Sequence, residues 1–178
     1  MSSLPPIFVI TGQLSAGKST IAGALLEHFP FGYHIDVDGI REMVTSGRAS
    51  PLEWNDEPTR QFARAIEASA ALAKVYASAG FAVAIEGGLD PAAIEQALAD
   101  AGMGDRLVGI VLHPRLEVAL QRNRHRSTKS FDTSILEGVM REIDGDISSQ
   151  PDRPGWHVLD NSDEPIEATA QRVLSIAR

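Results

Sequence analysis

The chain has 178 residues, 43% of them hydrophobic and 22% charged, a size and balance that suit one packed domain and exclude a disordered chain. A formal net charge of −8 argues against a broad nucleic-acid surface, which needs clustered Lys and Arg, but still permits a polyphosphate held by local positive potential and backbone N–H groups. There is no cysteine, which excludes disulfides, Cys-ligated zinc and thiol nucleophiles.

Met1–Pro6 carries no basic segment, and the apolar run Ile7–Ile10 is too short for a signal or a membrane span. A soluble cytoplasmic protein with no membrane partner is expected, as a monomer or small homo-oligomer. Ile7–Ile10 reads as a buried strand and Lys18–Phe29 as a helix. Tyr33–Val37 reads as a second strand. Phe62, Ile66, Ala70, Ala73 and Ala77 fall on one helical face. Phe81–Ile85 reads as a third strand. Pro91–Ala101 reads as a helix with Pro at its start, closing before Gly102. Leu107–Leu112 is another buried run. Ile135, Val139, Ile143 and Ile147 repeat every four residues, Trp156–Leu159 reads as a last strand, and Ile166–Ala177 as a closing amphipathic helix. Short apolar strands alternating with helices predict a parallel sheet covered on both faces: a single three-layer α/β/α domain over 1–178 with five parallel strands.

Gly12-Gln13-Leu14-Ser15-Ala16-Gly17-Lys18-Ser19 matches G-x-x-x-x-G-K-[ST]. Such a loop wraps its N–H groups around phosphate oxygens. Lys18 brings a point charge to the β- and γ-phosphates, Ser19 a hydroxyl to Mg²⁺, and Thr20 continues the helix whose positive end faces the anion. The spacing does not match a dinucleotide fingerprint, because Gly12 is followed by Gln13-Leu14-Ser15, nor a nucleophile elbow, because no glycine stands two residues before Ser15. Asp36 and Asp38 close the second strand two residues apart and are expected on one face. One carboxylate then suits Mg²⁺ through water and the other an acceptor hydroxyl's proton. A helix N-cap is the competing role for Asp38.

Four further features have two readings each. Arg122, Asn123, Arg124, His125, Arg126 and Lys129 form a basic cluster suited to phosphoryl oxygens, or to a helix C-terminus. Arg41 suits an anion on the acceptor, or is an ordinary first-turn helix charge. Arg64 suits the acceptor, or an i, i+3 surface pair with Glu67. Trp54 suits an acceptor-pocket wall, or a packing anchor.

The glycine loop, the Asp-x-Asp turn and Glu86-Gly87-Gly88 after the third strand together resemble the nucleoside-monophosphate-kinase-like group of P-loop small-molecule kinases, with the shikimate kinases, gluconate kinases and chloramphenicol phosphotransferases nearest in pattern. The resemblance implies ATP and Mg²⁺ as cofactors and a small hydroxyl-bearing acceptor. It implies an acceptor-binding region near 39–60 and a small lid near 122–133. By position it implies acceptor-hydroxyl contact for Asp38, magnesium for Asp36 beside Ser19, and acceptor contacts for Arg64, Glu86 and Gly87; Glu86 also stands where many P-loop proteins place a Walker-B aspartate, so either Asp36 or Glu86 could support the metal. It implies nucleotide and phosphoryl contacts for Arg122 and Arg126, and a base-flanking loop at Asp160-Asn161-Ser162. Ser130-Phe131-Asp132-Thr133 replaces the Arg-Pro-Leu segment of shikimate kinases, which argues against shikimate. The alternative is a nucleotide-dependent switch or binding module with no small-molecule acceptor.

Overall fold

The computed structural model describes residues 5–50, 56–88, 90–125, 136–149 and 152–177. Five strands run β1 Ile7–Gly12, β2 Gly32–Asp36, β3 Ala82–Glu86, β4 Leu107–Leu112 and β5 Trp156–Leu159. All pairings are parallel and the order is β2-β3-β1-β4-β5. The helices are α1 Lys18–Leu26, α2 Val37–Glu42, α3 Asp56–Ser78, α4 Pro91–Asp100, α5 Leu116–Arg124, α6 Glu137–Ser149 and α7 Ile166–Ile176.

The central strand explains the layering. Ile7, Phe8, Val9 and Ile10 are all buried, so β1 has no solvent face and both sides must be covered. Ile7 and Val9 pack with Val83, Ile85 and the inner faces of α3 and α4. Phe8 and Ile10 pack with Ile110 and Leu112 beneath Ile21 and Leu25 of α1 and Val173 of α7. Alternation of side chains along one strand thus feeds two cores.

Several boundaries differ from the expected ones. Helix α1 stops at Leu26, and single turns carry the chain on, with His28 donating to Leu25 O and Phe29 to Leu26 O. Pro30 follows and disfavours helical geometry at Phe29. Strand β2 ends at Asp36, and Val37 already opens α2. Strand β3 runs one residue beyond Ile85, making Glu86 its last member. On α6, Val139 is 45% exposed while Met140 is fully buried, because this helix packs mainly on α5 and presents only one residue fully inward. Of the expected stripe there, Ile135 lies outside the described residues.

Gly109 of β4 lies directly under the Trp156 indole, where a Cβ would meet the ring at 2.3 Å. Gly109→Ala is therefore expected to destabilise the fold by about 1–3 kcal/mol through overpacking. Urea denaturation would register this as a lower midpoint with an unchanged slope.

Candidate active site

The carboxyl ends of β1, β2 and β3 and the turns that follow them share one rim. The turn after β1 is built on a close strand contact. Gly12 has φ 120°, and a Cβ there would stand 2.2 Å from Leu112 O, so only glycine lets the loop leave β1 against β4. Gln13 N donates to Leu112 O at 2.9 Å, and Ser15 (φ 58°) and Gly17 (φ 92°) complete the reversal. A non-glycine residue at positive φ stores strain, here within the anion-binding turn itself. Helix α1 then starts at Lys18 with no side-chain cap and no acid in its first turn, which leaves its leading N–H groups open to an anion. The Lys18 ammonium lies against the loop, donating to Gly12 O at 3.2 Å and Gln13 O at 3.0 Å.

The structure pairs the expected metal residues differently. The Ser19 hydroxyl donates to Glu86 at 2.8 Å, not to Asp36. The Glu86 side chain is buried at the end of β3, adjacent to β1, with 4% exposure, and His34 Nε2 lies 3.6 Å from its carboxylate. Burial works against its ionisation. The neighbouring His34 ring, the hydrogen bond from Ser19 and the charge of Lys18 outweigh that and hold it below the usual carboxylate range. Two hard oxygen donors, one ionised, suit Mg²⁺, which takes few protein ligands and keeps several waters. Asp36 is solvent-exposed, with its carboxylate under the first turn of α2, where a Cβ on Gly39 would come 3.0 Å from Oδ2.

Asp38 does not lie on the strand, as its spacing from Asp36 had implied. It occupies the first turn of α2, where Asp36, not Asp38, takes the N-cap position. There it is half-buried among charges of both signs. Burial raises its pKa above the usual carboxylate range. Asp36 adds to that effect, Lys18 and Arg41 oppose it, and Glu86 adds a smaller push upward. The acid and the loop lysine are thus electrostatic neighbours.

Arg41 is not an exposed first-turn charge. It lies late in α2, 6% exposed, with its guanidinium 4.6 Å over the Phe62 ring, one 3.4 Å bond to Ala49 O and a buried Nε that has no partner among the described residues. Gln61 braces the same segment, donating to Gly47 O and accepting from Ala49 N. Arg64 takes the role of the surface pair, 2.7 Å from Glu67 on an exposed face of α3. Gly87 is buried behind β3 and donates to Ile10 O. Trp54, Arg126, Lys129 and the remainder of the expected lid lie outside the described residues.

Beside the loop lies a cavity of about 320 Å³ lined by Ala16, Gly17, Thr20, Arg122, Asn161, Glu164 and Thr169, among others. Arg122 donates to the carbonyls of Asn161 and Ser162, at 2.9 and 3.3 Å. Asn161 donates to Ala16 O at 2.9 Å, and its Oδ1 is buried with no partner among the described residues. Arg122 and Asn161 thus tie the cavity wall to the turn after β5 and to the glycine loop. Sequence reasoning leaves Glu86 and Asp36 both open for the metal, and the register of β1, β2 and β3 brings Glu86 to Ser19. It missed the contacts of Gln13 and Asn123, which join the loop to segments far from it in sequence.

No protein-family model matches the chain, and no curated protein matches it in sequence. Solved structures do match in fold. The gluconokinase of Sinorhizobium meliloti 1021 aligns at TM-score 0.62 and 16% identity, over 98% of this chain and 92% of that one. The APS kinase of Mycobacterium tuberculosis in complex with AMPPNP and APS aligns at 0.65 and 20%, over 97% and 96%. The shikimate kinase of Bacteroides thetaiotaomicron aligns at 0.64 and 14%, over 96% and 97%. The chain has the fold of the P-loop small-molecule kinases.

Proposed function

We propose that the chain is an ATP-dependent phosphotransferase acting on a hydroxyl of a small molecule. The observation that carries this reading is a half-buried Asp38, of raised pKa, in the first turn of α2 on the same rim of the sheet as the glycine loop and its Lys18. A polyphosphate needs the lysine, and a hydroxyl nucleophile needs an acid of raised pKa within reach of it.

In this reading the base enters the cavity beside Arg122 and Asn161, and the phosphates lie along Gly12–Thr20. Ser19 and Glu86 would hold Mg²⁺, which neutralises charge on the phosphate oxygens. Asp38 orients the acceptor hydroxyl and takes its proton. Lys18 stabilises the negative charge on the transferring group, with Arg126, outside the described residues, expected to add a second cation. Arg41, close to Asp38 and buried with an unused donor, turns toward an acceptor group able to accept hydrogen bonds.

Titration with Mg-ATP, followed by nucleotide consumption against a panel of sugars, hydroxy acids, nucleosides and antibiotics, tests the reading. Binding with acceptor-stimulated ADP release is the expected result. Binding with no stimulation by any hydroxyl compound would favour a nucleotide switch instead. The absence of any binding at millimolar Mg-ATP would remove both.

A further inference from the structure

Three consecutive residues of the glycine loop reach away from the phosphate side. Gln13 is fully buried, an unusual place for a neutral amide unless both of its ends are satisfied. Both are: Nε2 donates to Met140 O of α6 at 2.8 Å, and Oε1 accepts from Leu14 N at 2.8 Å. The Leu14 side chain packs against the cluster of Ala119, Leu120 and Met140 that joins α5 to α6. The Ser15 hydroxyl donates to Asn123 Oδ1 at 3.3 Å, and Asn123 is fully buried at the end of α5. The α5–α6 pair is thus fastened to the loop at three successive positions.

Gln13 also faces the other way. Its own carbonyl accepts the Lys18 ammonium at 3.0 Å. One residue therefore links the main chain of α6, through its side chain, to the catalytic lysine, through its backbone. A rotation of the 13–14 peptide moves the Lys18 partner and strains the bond to Met140 O together, because the amide has no spare acceptor in its buried site. We propose that Gln13 is a positioning residue that couples the phosphate loop and Lys18 to helix α6. Occupation of the loop by a triphosphate is then felt at α6, and the placement of α6 sets how well Lys18 meets the phosphate. This inference rests on the phosphotransferase reading for the identity of the loop's ligand. Its content is the coupling.

The test uses the full chain, Mg-AMP-PNP as probe, calorimetric affinity, and amide hydrogen exchange across α6. In the wild type, the probe is expected to slow exchange in α6. Gln13→Leu removes both side-chain bonds. Gln13→Glu keeps an acceptor for Leu14 N but has no proton for Met140 O, and it carries the test if the leucine variant folds poorly. Both are expected to bind Mg-AMP-PNP roughly tenfold more weakly, the scale of one buried hydrogen bond lost with a partner left unpaired, and to lose the α6 response. Met140→Leu keeps the carbonyl and is expected to keep both affinity and response. Wild-type affinity in the Gln13 variants, a persisting α6 response in them, or no α6 response in the wild type would each overturn the coupling while leaving the kinase reading intact. A wild-type chain that does not bind Mg-AMP-PNP would remove that reading, and the coupling with it.

Discussion

Lys18→Met is expected to reduce phosphoryl transfer by about 10²–10³-fold, the usual loss when one preorganised charge-stabilising group is removed from a reacting centre. Methionine keeps much of the apolar stem, so the packing change is small and the effect falls on the charge. The ammonium makes two bonds to loop carbonyls, at 3.2 and 3.0 Å, and these carbonyls lose a donor in the variant. The fold should accordingly weaken by only about 1 kcal/mol, a shift of a few degrees in Tm. The check is initial-rate ADP release with whichever acceptor the panel identifies, beside a thermal melt. Transfer at the wild-type rate in a folded Lys18→Met protein would show that the glycine loop does not serve the chemistry.

Asp38→Asn is expected to lower transfer by about 10²–10⁴-fold, the range for loss of a positioned general base. The same substitution is expected to raise thermal stability at neutral pH. The sign follows from the direction of the pKa shift. Burial is the main cause of the raised value, so the folded protein prefers the protonated acid more than the unfolded chain does. That preference favours the fold fully below the unfolded pKa and is lost as pH rises through the folded, elevated pKa. Above that point the ionised carboxylate works against folding, and a neutral amide of the same shape relieves it. The Tm difference between Asn and Asp should therefore be small in acid, grow through the elevated pKa and stay constant above it. The transfer rate of the wild type should rise with pH over the same window, since the ionised form is the base. Melts and rates from pH 3 to 8 measure both curves. A rate limb at the ordinary carboxylate pKa, or an Asn variant no more stable than wild type at pH 7, would show that Asp38 is not the desolvated base.

Local sequence determined much of this protein. Four consecutive apolar residues, Ile7–Ile10, demanded a strand covered on both faces, and the residues from Gly12 to Ser19 carry their phosphate chemistry in their own spacing. The five strands and the closing helix α7 follow from periodicities a few residues long, because burial on a face is decided by neighbours within a turn or a pleat. Arg64 and Glu67 form the surface pair that their i, i+3 spacing allows.

What only the tertiary structure decided are contacts between segments far apart in the chain. The strand order sets β3 against β1, so Glu86 reaches Ser19 across 67 residues, and no count along the sequence selects it over Asp36. Spacing alone placed Asp36 and Asp38 on one face. The chain instead breaks from strand to helix between them, and Asp38 turns into a partly desolvated setting. Spacing places Gln13 in the phosphate-binding loop and says nothing of its side chain. Its amide meets Met140 O across 127 residues, in a helix whose own periodicity had pointed to Val139. A side chain's type states which bonds it needs, but the partner is chosen by how the layers stack, and that is settled by the sum of all the packed faces together.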